Sequence, residues 1–269
     1  MTYNAFTLEQ RDHVAQVRFN RPEQANALDQ ASWAELPHLL QTLDDDPNVR
    51  VVLLSGTGKH FCAGIDTQML MALNPVNIKE EARKREHVFH TITRLQAALT
   101  ALEQCRKPIV AAIHGACIGA GLELAAACDL RYASEDAYFQ LKEIDLGIVA
   151  DLGGLQRLPH LMPAGVVQEM AFTGRKMQAA EAMQRGLVSL VHADAEALYK
   201  ATLALAQQLA AKSPLVMRGI KRSLLYSRDH TVAEGLRDVA TWNAATLLSA
   251  DLAQAVQAML TRQPATFED

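Results

Sequence analysis

Residues 14–20 read as a strand, and residues 32–43 carry apolar side chains at helical spacing with polar ones between them. Residues 50–55, with four apolar residues in a row at 51–54, read as an apolar strand that ends in the turn Gly56-Thr57-Gly58. Asp66 is placed to cap a helix running through Leu73. Residues 77–104 are mostly helical in pattern, and the charge run from Lys79 to Glu86 reads as a solvated helix face. A strand over 109–113, a Gly-rich turn and an Ala-rich helix over 120–128 follow, with short strands near 130–133 and 188–191. Strands alternating with helices predict an α/β fold with a parallel-biased sheet.

Beyond residue 194 the pattern changes. Residues 195–211, 215–226, 232–249 and 251–261 are four helical stretches with no strand between them. This divides the chain into a core over 1–194 and a helical region over 195–269. Helices without strands cannot extend a sheet, so they pack on the body or on another subunit. Met217, Leu224, Trp242 and Leu247 are candidates for that contact, with ordinary core packing as the simpler account.

Composition narrows the class. Of 269 residues, 49% are hydrophobic and 21% charged, which excludes a disordered or collagen-like chain. The net charge is −4 and aromatics are 5%, which speaks against nucleic acid as partner. The first residues, MTYNAFTLEQRDH, lack the basic and apolar regions of a secretory signal. Residues 108–128 carry a single charge, Glu123, but glycines interrupt them, so they read as strand, turn and helix and not as a membrane span. Cys62, Cys105, Cys117 and Cys128 form no C-x-x-C pair and are expected as free, buried thiols in a reducing compartment, the cytoplasm.

The candidate chemistry sits at two similar turns. In HGACIGAGLELAAACD, starting at His114, a strand runs into glycines and a helix opens at once. Gly119 and Gly121 permit close backbone approach, and the helix start offers free N–H groups. The segment is neither a Walker loop nor a complete dinucleotide fingerprint. The turn from His60 to Asp66 has the same character, and two such turns are able to aim one N–H each at a single oxygen. Glu123, Glu143 and Asp151 lie nearby in sequence, Asp151 in a nearly apolar run. A carboxyl in apolar surroundings is suited to acid–base work near neutral pH. The alternative is structural: Asp151 caps a helix starting near Gly153, and Glu143 pairs with Arg157.

Taken in order, these segments resemble the enoyl-CoA hydratase/isomerase (crotonase) superfamily. Asn20-Arg21-Pro22 with Asn26-Ala27-Leu28 resembles its CoA-loop signature. Residues 61–66 and 114–129 resemble its two oxyanion turns. The resemblance implies a spiral of ββα units with a C-terminal helical trimerisation region, and a homotrimer or dimer of trimers. It places the oxyanion N–H donors on Ile65 and Ala120, where the alanine methyl is expected to narrow the pocket. It puts substrate contacts at Arg21, Ala27, Ala63, Gly64, Asp66, Gly119 and Lys221, the last reaching a CoA phosphate. No metal or cofactor is implied, since CoA is part of the substrate. Residues 142–159 and 171–177 are similar to the Δ3,5-Δ2,4-dienoyl-CoA isomerase subgroup, in which acids at the places of Glu143 and Asp151 shuttle protons between C2 and C6. That subgroup usually has aspartate where this chain has Glu123, which keeps 2-enoyl-CoA hydration open as a second reading. A non-catalytic acyl-CoA- or RNA-binding homologue is a third.

Overall fold

The computed structural model describes residues 3–72 and 75–269. The strands are β1 (Phe6–Arg11), β2 (Val14–Phe19), β3 (Val51–Gly56), β4 (Ile109–Ile113), β5 (Ala116–Ile118), β6 (Leu130–Ser134), β7 (Tyr138–Gln140), β8 (Met177–Gln178) and β9 (Val191–His192). The helices are α1 (Gln30–Asp45), α2 (Thr67–Ala72), α3 (Glu81–Gln104), α4 (Ala120–Ala127), α5 (Gly154–Arg157), α6 (Ala164–Thr173), α7 (Ala179–Arg185), α8 (Ala195–Ala210), α9 (Pro214–Arg228), α10 (Val232–Thr246) and α11 (Ala250–Thr261). A six-stranded sheet runs β1-β2-β3-β4-β6-β9, antiparallel only at its β1–β2 hairpin. A smaller sheet, β5-β7-β8, stands beside it.

The apolar run of β3 is explained by burial on both sides. Val51 and Leu53 face one apolar cluster, and Val52 and Leu54 face the other, as the two-residue period of a strand requires. The larger cluster lies under α1, α3 and α4. The smaller lies under α8, whose Leu198, Ala206 and Ala210 cover Val14, Val110 and Ala112. Asp194 caps α8 by accepting from the Ala197 N–H at 2.8 Å, so the compositional change after residue 194 coincides with a helix start.

Several boundaries differ from the sequence pattern. β1 was not anticipated: it is a mostly polar edge strand, held by its hairpin partner and by positive φ at Asp12 and His13. α3 begins at Glu81, where Glu80 caps two N–H groups, so residues 77–79 stay outside the helix. The expected end of the helix after Asp66, at Leu73, lies outside the described residues. The strand near 188–191 is shortened to β9, although pairing with β6 begins at the Ser189 N–H. All four cysteines are buried and free. Among the described residues no helix is long and apolar enough to cross a membrane.

The helices after α8 form a groove. Met217, Leu224, Trp242 and Leu247 all line a cavity of ≈ 820 Å³ between α9, α10 and α11. Met217 packs against the smaller core cluster, whereas Leu224 and Leu247 are exposed.

Candidate active site

The two glycine turns meet. Cys62 bridges Cys117 in parallel, with the Cys62 N–H on the Ala116 carbonyl and the Ile118 N–H on the Cys62 carbonyl, both at 3.0 Å. A side chain added at Gly64 would put its Cβ 3.5 Å from the Ala120 nitrogen. A third segment locks the first turn. The Leu28 N–H donates to the Gly64 carbonyl at 2.7 Å, and the Asp66 N–H donates to the Leu28 carbonyl at 3.0 Å. These bonds flank Ile65 and leave its own N–H directed away from Leu28. Ala120 opens α4, where an N–H has no partner within the helix. Among the described residues neither N–H has an acceptor. Ile65 and Ala120 are thus adjacent donors on one rim. The Ala120 methyl is buried in the core cluster.

Two side chains brace the rim. Asn26, fully buried at positive φ, donates to the Thr57 carbonyl at 2.8 Å and the His60 carbonyl at 2.7 Å, while its oxygen accepts from the Arg21 N–H. Arg21 contacts the Ala27 carbonyl, Asp29 and Asp66, the last at 3.1 Å. Ala63 joins the same network through its N–H on the Ala25 carbonyl. Asp66 also accepts from the Gln68 N–H at 2.9 Å, so it caps α2 as its position suggests. Arg21 and Asp66 border a cavity of ≈ 700 Å³ shared with Trp33, Met69 and Leu95.

The three carboxyls gather behind the second turn. Gly119 has φ +52°, which favours glycine, and a Cβ there would fall 2.9 Å from Glu143 Oε1, so the glutamate lies directly over the turn. Glu143 Oε2 is buried and lacks any partner, an unusual state outside functional sites. Glu123 is 1% exposed, and its Oε1 accepts from the Gly154 N–H at 2.8 Å and the Leu152 N–H at 3.2 Å. Asp151 sits one residue before that pair of donors. Its side chain does not cap α5, whose N-cap is Gly153, and Glu143 does not pair with Arg157; both structural alternatives fail. Arg157 is taken instead by Glu103, at 2.7 Å.

Burial pushes the Glu123 carboxyl up to about 7, helped by the like charges of Glu143 and Asp151 against the two amides. Burial also raises Glu143, with Asp151 adding to it, and raises Asp151. Three neighbouring acids that hold protons more tightly than usual are suited to acid–base work. The sign of the stability effect follows. Folded Glu123 binds its proton more tightly than the unfolded chain, so its contribution to stability is greatest below about pH 4.5 and falls as pH rises to about 7, by about 3 kcal/mol. Urea unfolding across that range should show the fall, and Glu123→Gln should flatten most of it.

Lys221 is a correction. Its ammonium donates to Asp129 Oδ2 at 2.7 Å and to the carbonyls of Leu102 at 3.0 Å and Lys107 at 3.1 Å. Only 7% of the side chain is exposed, so it ties α9 to the body and has no donor left for a phosphate. The residues that sequence reasoning missed are those holding the acids: Gln96, whose amide donates to the Asp151 carbonyl at 2.6 Å, and the N–H donors of Leu152 and Gly154. The dipeptide Gly153-Gly154 was their sequence signal.

The family model for enoyl-CoA hydratase/isomerase matches residues 9–269. The chain belongs to the enoyl-CoA hydratase/isomerase family. It is 48% identical over 248 residues to the peroxisomal Δ3,5-Δ2,4-dienoyl-CoA isomerase of Arabidopsis thaliana, covering 91% of this chain and 89% of that one. It is 46% identical over 249 residues to the mitochondrial Δ3,5-Δ2,4-dienoyl-CoA isomerase of Homo sapiens, covering 91% and 76%. The crystal structure of enoyl-CoA hydratase from Bacillus anthracis superposes with a TM-score of 0.91 at 30% identity, covering 98% and 99%. The fold expected from the motifs is therefore the one this family adopts.

Proposed function

We propose that this family member is a Δ3,5-Δ2,4-dienoyl-CoA isomerase. The observation that carries the reading is the third acid: Asp151 joins Glu123 and Glu143 close enough that its charge helps to raise both. The dienoyl-CoA isomerases of plant and human at 48% and 46% identity support it. The thioester oxygen is held by the N–H groups of Ile65 and Ala120. Glu143 takes a proton from C2, the charge spreads into the dienolate, and a protonated Asp151 returns a proton to C6. The double bonds move from the 3,5 to the 2,4 positions with no net change in atoms or electrons. Glu123 orients Glu143 or a water. Each oxyanion donor contributes about 2.7–4 kcal/mol to the transition state. The chemistry needs no metal or redox cofactor, and CoA enters as part of the substrate.

Association into a homotrimer or a dimer of trimers belongs to the same reading and is supported by the exposed Leu224, Leu247 and Leu248 of the C-terminal helices. A reducing compartment such as the cytoplasm is supported by the free, buried cysteines.

Paired kinetics test the assignment. Purified protein should convert 3,5-dienoyl-CoA to the 2,4-isomer much faster than it hydrates crotonyl-CoA. The reverse ratio would establish the second reading, 2-enoyl-CoA hydration, which Glu123 favours because two glutamates suffice to orient and deprotonate water.

A further inference from the structure

Arg157 lies beneath the segment that carries the acids. Its Nη1 donates to the Leu152 carbonyl at 3.1 Å, and its Nη2 donates to Glu103 at 2.7 Å and to the Thr100 hydroxyl at 3.2 Å. Gly153, at φ +110°, makes room: a Cβ there would fall 1.9 Å from Nη1. Both side chains of the Arg157–Glu103 pair are nearly buried, at 11% and 10% exposure, and Glu103 is also held by Arg228 at the end of α9.

The other contacts to the segment come from the same helix. Gln96, Thr100 and Glu103 are four and three residues apart on α3, so they form one stripe along its surface. Gln96 takes the Asp151 carbonyl, and Thr100 and Glu103 take Arg157, which takes the Leu152 carbonyl. The amides of Leu152 and Gly154 in turn hold Glu123. One short stretch of backbone thus sets two acids, and α3 holds it through a single guanidinium and a single amide.

We propose that Arg157, anchored by Glu103, is the positioning residue for Asp151 and Glu123. It touches no reacting atom. It holds the Leu152 carbonyl, and through it the places of the carboxyl before it and of the two amides that fix Glu123. Planarity matters: a guanidinium reaches the carbonyl and the carboxylate together, whereas an ammonium on a thinner stem serves them less well.

The inference rests on the isomerase reading only for the choice of substrate, because Glu123 serves either reaction. The experiment measures kcat, KM and thermal midpoint for wild type, Arg157→Lys, Arg157→Met and Glu103→Gln, with both 3,5-dienoyl-CoA and crotonyl-CoA. Wild type inactive on the dienoyl substrate but active on crotonyl-CoA would sink the isomerase reading and leave the Arg157 comparison readable on hydration. For Arg157→Met the expected result is a kcat about 100-fold lower with KM little changed, since small misplacement of catalytic groups costs that much. Arg157→Lys should melt close to wild type, because it keeps a cation beside Glu103, and still lose at least about 10-fold in kcat. Glu103→Gln should lower kcat in the same direction. Full kcat in Arg157→Lys, or an Arg157→Met protein that melts earlier but turns over at the wild-type rate, would overturn the proposal in favour of a purely structural ion pair.

Discussion

Asp151→Asn is expected to lower kcat on 3,5-dienoyl-CoA by about 10²–10⁴-fold, the usual worth of a positioned acid or base. The substitution is nearly isosteric. It leaves the Asp151 carbonyl on Gln96 and the amides of Leu152 and Gly154 on Glu123, so the segment keeps its shape. What is lost is the proton. Burial raises the Asp151 carboxyl above its ordinary value, which favours the protonated form that C6 requires. An amide has no acidic proton to give. KM should change little, because the proposed role of Asp151 is proton transfer at C6 and not the holding of the thioester. Steady-state kinetics on both substrates check this: crotonyl-CoA hydration should depend on Glu123 and Glu143 and be largely indifferent to Asp151→Asn. An unchanged dienoyl rate in this variant would remove Asp151 from the chemistry and the isomerase reading with it.

Lys221→Met is expected to cost about 3–5 kcal/mol of stability and to leave KM for the acyl-CoA unchanged in the protein that folds. The ammonium is the partner of Asp129, whose Oδ2 also accepts from the Ile109 N–H at 2.8 Å. Methionine fills similar space but leaves the partly buried Asp129 carboxylate and the carbonyls of Leu102 and Lys107 short of a donor. The penalty is that of a partly buried charge left without its cation, together with two carbonyls left without a donor. Urea unfolding reads the first effect and substrate titration the second. A variant of wild-type stability with a raised KM would restore the phosphate role that the family resemblance implied for Lys221.

These contrasts show where sequence sufficed. The period-two and period-3.6 patterns placed β2, β3, β4, α1, α3 and the late helices within a few residues, because burial on known faces dictates such patterns. β1 escaped them: it is a polar edge strand whose existence depends on β2 beside it. The two turns at Ile65 and Ala120 were legible because glycine there answers a backbone need that no other residue meets, as at Gly119 beneath Glu143. The partners of the charged side chains were not. Spacing alone made Glu143 a candidate for Arg157, yet Arg157 pairs with Glu103, 54 positions away in the chain.

By itself the sequence determined the kinds of element, the two glycine turns, the set of three acids and, through their order, the family. The tertiary structure alone decided which amides remain free, which carboxyl oxygen is buried without a partner, and which cations serve the scaffold and not a ligand. The reason is physical. Local patterns record how much of each residue is buried, whereas hydrogen bonding and charge pairing are settled between side chains from α3, α4, α9 and the 151–154 segment that meet only when the chain is folded.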